Sequence, residues 1–236
     1  MKTERSSGLP VAALVVAFVG VLAPMAVAEE PAEVEAAPGR YLFYLHGKIV
    51  EDQGPDAVSE RYGRYEYEAI VEALGQGVLT VRSEVRPKDT NPWDYARSVA
   101  AEIRELQARN VPLDHVTVVG ASKGAAIAVL VSHLLKEAEV SYVLLAICSE
   151  GTENYWSKHD ICLHGNVLSI YDDSDDLAGS CRQTADRCGE RLRRFHEIRL
   201  ATGTEHGLLY RPMKEWVKPT LAWADANGAS GTMGTD

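Results

Sequence analysis

The stretch HVTVVGASKGAAIAVL (115–130) constrains the fold of this chain more than any other. An apolar run passes, within one tight turn, into an alanine-rich run long enough for a helix. A short strand that is apolar on both faces belongs between two layers, as a central strand of a parallel sheet does. The turn itself reads Gly120-Ala121-Ser122-Lys123-Gly124. Two glycines around one serine mark a backbone bent so tightly that side chains on either side would collide, with Ser122 at the tip. A structural β–α turn with serine as a helix cap would use the same residues.

The rest of the chain repeats the alternation. RYLFYLHG (40–47), GVLTVRSEV (77–85), SYVLLAIC (141–148) and NVLSIY (166–171) have strand composition, and FHEIRLA (195–201) is a weaker example. Between them, 65–74, 91–110, 123–137 and 211–226 have helical character. In the second of these, Asn91 can cap, Pro92 suits the first helical position, and Val99, Ile103 and Leu106 share a face. The fourth begins near Pro212 and is expected to break at Pro219. With no internal repeat and no linker, this predicts one domain over 40–226, a three-layer α/β/α sandwich with a mainly parallel sheet and right-handed crossovers. In such sheets reactive groups collect in loops beyond the carboxyl ends of strands.

Ser122 occupies such a position. A serine hydroxyl is a weak nucleophile and needs a base, which needs an orienting group. Both types follow in the chain. YDDSDD (171–176) comes directly after an apolar strand and offers Asp172, Asp173, Asp175 and Asp176; GTEHGLLY (203–210) places His206 between the last strand and the last helix. The first strand ends in His46-Gly47-Lys48, a bend that could bring the backbone N–H of Gly47 or Lys48 beside the serine, with the N–H of Lys123 as the second donor of an oxyanion hole. His46 precedes the serine and is assigned a loop-shaping hydrogen bond, with a weak claim to substrate contact. The polar loop 49–67 could contact a carboxylate or a sugar through Arg61, Tyr62, Arg64 and Tyr65, or could be a solvated loop whose tyrosines pack on the helix beneath.

From YLHG through VVGASKGA and VLSIYDDSD to TEHGLLYRP, the chain resembles the α/β-hydrolases, and within them small exported serine hydrolases. The resemblance implies a Ser…Asp…His order, with Ser122 as nucleophile, His206 as base and Asp175 as acid in a G-x-x-D-like position. Asp172 stands where the glycine of that pattern is usual and is the alternative acid. The short interval between Cys148 and Asn166 leaves no room for the helical cap of larger relatives, and no antiparallel strands are evident before Arg40. The implied protein is a minimal, uncapped α/β-hydrolase that cleaves a small acyl ester through an acyl-enzyme, without cofactor or metal. The alternative is a binding protein on the same fold, without catalysis.

Residues 1–28 have the layout of a secretory signal peptide: Lys2 and Arg5, an apolar core from Val11 to Val27, and small residues ending at Ala28. The core is interrupted by Gly20 and Pro24, which argues against retention as a membrane anchor. Residues 29–39 form an acidic, Ala/Pro-rich lead-in, and 227–236 a small, polar tail expected to be disordered. The formal net charge of −10 disfavours nucleic acid and anionic lipid as partners. Four cysteines, Cys148, Cys162, Cys181 and Cys188, imply disulfides in an exported protein, with 148–162 and 181–188 the expected pairs. His159, Cys162 and His164 match no standard zinc spacing.

Overall fold

The structure is a computed structural model, and it describes residues 39–77 and 79–226. The signal-peptide segment, nearly all of the lead-in and the tail 227–236 lie outside the described residues.

Six strands form one sheet: β1 (Arg40–Leu45), β4 (Leu79–Arg82), β5 (Val116–Ala121), β6 (Ser141–Leu145), β7 (Gly165–Asp172) and β8 (Leu192–Leu200). Their order is β4-β1-β5-β6-β7-β8 and every pairing is parallel. A separate two-stranded antiparallel ribbon joins β2 (Val58–Ser59) to β3 (Gly63–Arg64).

The strand pattern decides which helix covers which face. Successive residues point to opposite sides, so Phe43 and Leu45 of β1 pack with Val116, Val118, Tyr142 and Leu144. This layer is completed by α3 (Pro92–Ala108) and α4 (Lys123–Leu135), through residues such as Val99, Ile103, Ala125 and Ala128. Leu42 and Tyr44 turn the other way and join Val119, Val143 and Leu168 under α1 (Lys48–Gln53), α2 (Tyr67–Leu74) and α7 (Lys214–Ala226). Among the described residues no helix is long and apolar enough to cross a membrane.

Local sequence accounts for several boundaries. Asn91 Oδ1 accepts from the N–H groups of Trp93 (2.9 Å) and Asp94 (3.2 Å), so α3 starts at Pro92. The helix α5 (Glu150–Lys158) follows β6, where the sequence reading placed only a short connection; Ser149 and Thr152 cap it reciprocally. It is a single helix in a short crossover, and the fold carries no evident cap domain.

Two expectations are corrected. Pro219 does not interrupt the last helix: α7 runs through it from Lys214 to Ala226. Trp216, Val217, Trp223 and Ala224 on either side of the proline are buried against the sheet, and that packing offsets the missing N–H. The disulfides join Cys148 to Cys181 and Cys162 to Cys188, with Cα separations of 5.1 and 5.4 Å. The expected 181–188 pair fails because Cys181 caps and Cys188 ends α6 (Arg182–Cys188), which at 1.5 Å per residue sets them about 10 Å apart. The expected 148–162 pair is split by α5. Cys162 is thereby paired with Cys188.

Candidate active site

The sheet delivers four loops to one edge. β5 ends at Ala121, one residue before Ser122; β7 ends at Asp172, three before Asp175; β8 ends at Leu200, six before His206; and β1 ends at Leu45, just before His46-Gly47-Lys48.

Ser122 has φ 51° and ψ −116°, a conformation that side chains rarely adopt, between the end of β5 and the first residue of α4. Its N–H donates to Leu145 O at 2.9 Å, which anchors the bend to β6. The flanking glycines now have specific reasons. A Cβ on Gly120 would lie 2.5 Å from Ala125 Cα, and one on Gly124 would overlap the carbonyl oxygen of Leu45 and reach His46 O at 2.7 Å. Strand β1 and helix α4 touch through their backbones, which only glycine allows.

His206 sits in the 3₁₀ turn Glu205–Tyr210. Its Nε2 lies 3.0 Å from Ser122 Oγ and its Nδ1 lies 2.8 Å from Asp175 Oδ2. The side chain of Asp175 is wholly buried and that of His206 is 12% exposed, so the chain of three groups is screened on the acid side and open at the serine. An ionised carboxylate can only accept; Nδ1 therefore carries the proton and the Nε2 lone pair faces the hydroxyl. The other oxygen of Asp175 accepts from Leu177 N–H at 2.9 Å.

Asp172, the alternative acid, is turned away from this line. Its Oδ1 accepts from Ser174 N–H (3.1 Å) and from the Ser174 hydroxyl, and its Oδ2 accepts from Thr202 N–H (2.8 Å) and Thr202 Oγ1 (2.5 Å). Burial pushes its pKa up, but these four hydrogen bonds outweigh burial and hold it at about 2. Asp172 thus ties the loop of Asp175 to the strand end before His206.

Gly47 adjoins Ser122: a Cβ there would sit 3.8 Å from Ser122 Cβ, in ordinary van der Waals contact. Gly47 precedes α1, and Lys48 and Lys123 are the first residues of α1 and α4. First-turn N–H groups have no partner inside their own helix. A cavity of about 160 Å³ opens beside the serine, lined by Gly47, Lys48, Ile49, Tyr65, His206, Leu209 and Tyr210. A larger cavity of about 370 Å³ at the β4 edge is walled by Arg82, Glu84, Tyr95 and Glu102 and holds no activated nucleophile.

The remaining expected contacts fall elsewhere. His46 is fully buried beneath the cleft: Nδ1–H donates to Gly47 O (2.8 Å) and Nε2 accepts from Arg86 N–H (2.9 Å). Burial first, then the Arg86 charge, lowers its pKa to about 4. Its place is under the loop, and it has no surface to offer a substrate. Arg61 is taken up by Glu205 (2.6 Å) and Asp176 (3.3 Å), and Tyr62 packs over Gly207 and Tyr210. Both line a neighbouring cavity, outside the one at Ser122. Arg64 is exposed and paired with Asp56. Tyr65 is buried, lines the cleft and shares a 2.6 Å hydrogen bond with Tyr44. Sequence reasoning missed Glu51 and Arg86, whose charged side chains gave no sign that they are wholly buried.

No family model matches the chain, and no curated protein matches it by sequence. Solved structures do match. The Agrobacterium tumefaciens protein ATU1826, an alpha/beta hydrolase candidate of unknown function, superposes with a TM-score of 0.57 at 12% identity, over 83% of this chain and 89% of that one. SOBER1 of Arabidopsis thaliana gives 0.56 at 13% identity, over 80% and 98%. Est1E of Butyrivibrio proteoclasticus gives 0.52 at 11%, over 84% and 91%. The chain has the α/β-hydrolase fold.

Proposed function

We propose that this α/β-hydrolase fold carries a serine hydrolase that cleaves esters of short acyl chains. The observation that carries the reading is the unbroken hydrogen-bonded line Ser122 Oγ–His206 Nε2–Asp175 Oδ2, at 3.0 and 2.8 Å, assembled from three loops far apart in sequence. An arylesterase is also among the solved structures of similar fold, which is in keeping with ester chemistry (TM-score 0.51, 14% identity, 80% of this chain and 74% of that one).

In this mechanism His206 Nε2 takes the proton of Ser122 as Oγ bonds to the ester carbonyl carbon. The carbonyl π pair moves onto oxygen, which the N–H of Lys123 and the N–H of Gly47 or Lys48 receive. Removal of one such donor costs about 3–4 kcal/mol of transition-state stabilisation in other enzymes. Collapse returns the pair, breaks the carbon–alkoxy bond and delivers the proton from His206 to the leaving alcohol. Water then repeats the sequence on the acyl-Ser122 ester, releasing the acid. Asp175 holds the imidazole in its Nδ1–H tautomer throughout and stabilises the imidazolium.

The cavity of about 160 Å³, walled by Ile49, Leu209 and Tyr210, suits a short acyl group. Two disulfides support an oxidising compartment and hence export after cleavage near Ala28. The test is reaction of the purified protein with a fluorophosphonate probe, with mass spectrometry to locate the adduct. An adduct on Ser122 that disappears in His206→Ala is the expected result. A folded protein that takes no label would overturn the reading and leave a binding protein on the same fold.

A further inference from the structure

Beneath the cleft lies a charged cluster that the proton relay does not use. Glu51, on the first turn and a half of α1, has a side chain with no exposure at all. Two cations meet it. Lys123 Nζ donates to Oε1 at 2.5 Å, and Arg86 Nε approaches Oε2 at 3.4 Å. Lys123 Nζ also donates to Thr90 O at 2.9 Å, and the Arg86 guanidinium donates to His46 O. His46 in turn holds Gly47 O and Arg86 N–H through its two ring nitrogens.

The placement of these groups is what gives the cluster a use. Lys123 is the residue after Ser122, so the amide at one end of this side chain is the one that faces a developing oxyanion from α4. Glu51 lies three residues after Lys48, on the same helical turn. The Nζ–Oε1 contact therefore spans from the donor segment of α4 to the donor segment of α1. The Glu51 carboxylate is wholly buried while Lys123 keeps 19% exposure. Burying such a carboxylate contributes little to stability alone, because apolar residues of similar volume often stabilise as well or better. The pair does fix a distance. Glu51 is locked by Arg86, Arg86 by His46, and His46 by the carbonyl of Gly47, so the brace closes back on the loop whose amides it sets.

We propose that Lys123 and Glu51 are positioning residues: their partly buried ion pair sets the separation between the backbone N–H of Lys123 and those of Gly47 and Lys48, and so the fit of the oxyanion hole. This rests on the serine-hydrolase reading above. The pair touches neither the nucleophile nor the base, and its effect is felt where negative charge develops on the carbonyl oxygen.

The test compares the wild type with Lys123→Met, Glu51→Gln and the charge-preserving Lys123→Arg. For each, kcat and KM are measured on p-nitrophenyl acetate, together with Ki for phenylboronic acid, which forms a tetrahedral anionic adduct with an activated serine. Displacing donors by a fraction of an ångström to an ångström is expected to lower kcat roughly 10–100-fold in Lys123→Met and Glu51→Gln. KM should stay within about twofold, the boronate Ki should rise in step with the fall in kcat/KM, and Lys123→Arg should recover most of the loss. Thermal melts show which variants are folded, and Glu51→Gln, which keeps the shape of the side chain, stands in if Lys123→Met does not fold. A folded Lys123→Met or Glu51→Gln enzyme with wild-type kcat and boronate affinity would overturn the brace alone. Losses shared equally by KM and melting temperature, with no rescue by arginine, would overturn it as well. A wild type that neither labels with fluorophosphonate nor hydrolyses ester would overturn both the brace and the reading beneath it.

Discussion

Asp172 and Asp175 lie three positions apart at the end of β7 and in the acidic loop after it, and the groups that reach them, His206 and Thr202 from some 30 residues away and Ser174 from within the loop, separate their work. Asp175 faces His206, and Asp172 faces Ser174 and Thr202. Asp175→Asn is expected to lower kcat by about four orders of magnitude, because an amide favours the wrong tautomer of the imidazole, while the thermal melt hardly moves. Asp172→Asn should do the reverse in kind, loosening the fold first. Its folded pKa of about 2 lies below the ordinary 3.8, so the unfolded chain takes up the proton more readily on acidification. The stabilisation, about 2 kcal/mol, is therefore complete well above pH 3.8 and is lost as pH falls through about 2. Urea unfolding of wild type and Asp172→Asn at pH 7 and pH 2 checks this: the gap between them should close at the lower pH, and a gap that persists would refute the assignment. In the sequence only the family resemblance preferred Asp175, since YDDSDD by itself fixes only which carboxylates follow the strand. What tells them apart is Thr202, which the chain brings beside Asp172 only when β8 pairs with β7.

At the scale of elements, the parts that could be read from the chain are those whose local pattern and tertiary surroundings agree. β1, β5, β6 and β7 are apolar on both faces and buried, and α3 carries its own cap. β8 was faint because it is an edge strand: Arg193, Arg194, Glu197 and Arg199 break the apolar run along its length, which suits a border and hides a strand. The disulfides were beyond the sequence for a related reason. Pairing depends on where α5 and α6 lie, and sequence neighbours are forced apart when a helix lies between them. The Cys148–Cys181 bond closes a loop with a sequence separation of 33 that includes β7 and Asp175. A loop of that length constrains the unfolded chain by roughly 3–4 kcal/mol. The paired Cys148→Ala, Cys181→Ala variant should lose about that much in chemical denaturation, with m raised because the uncrosslinked unfolded chain exposes more surface. A variant pairing Cys181 with Cys188 cannot form without unwinding α6, so partial reduction followed by peptide mapping should return no 181–188 peptide.

For the molecule as a whole, charge governs approach to the cleft more than it governs the fold. The chain carries a formal net charge of −10, and the cations around the serine are already committed. Lys48 pairs with Asp52 at 2.7 Å, Arg61 is divided between Glu205 and Asp176, and Lys123 is held by Glu51. Arg61 had looked able to greet a carboxylate from the sequence alone, but its partners are the residue after Asp175 and the residue before His206. A guanidinium so placed presents little uncompensated positive charge, and a substrate that brings its own carboxylate meets the field of the acidic surface instead. That field can reach several kT and is screened over about 30 Å at 0.01 M salt and about 10 Å at 0.1 M. Hydrolysis of a neutral ester such as p-nitrophenyl acetate should thus be nearly independent of salt. A matched hemisuccinate ester should show a kcat/KM several-fold lower at 0.01 M, and the difference should narrow as salt is raised to 0.1 M and beyond. Steady-state kinetics on both esters across that range decide it. Were the anionic ester favoured at low salt, a local cation would have to outweigh the net charge, and Arg61 would have to leave Glu205 and Asp176 when substrate binds. The variant Arg61→Gln separates the two cases, because it would abolish such a preference but only deepen the repulsion expected from the paired arrangement.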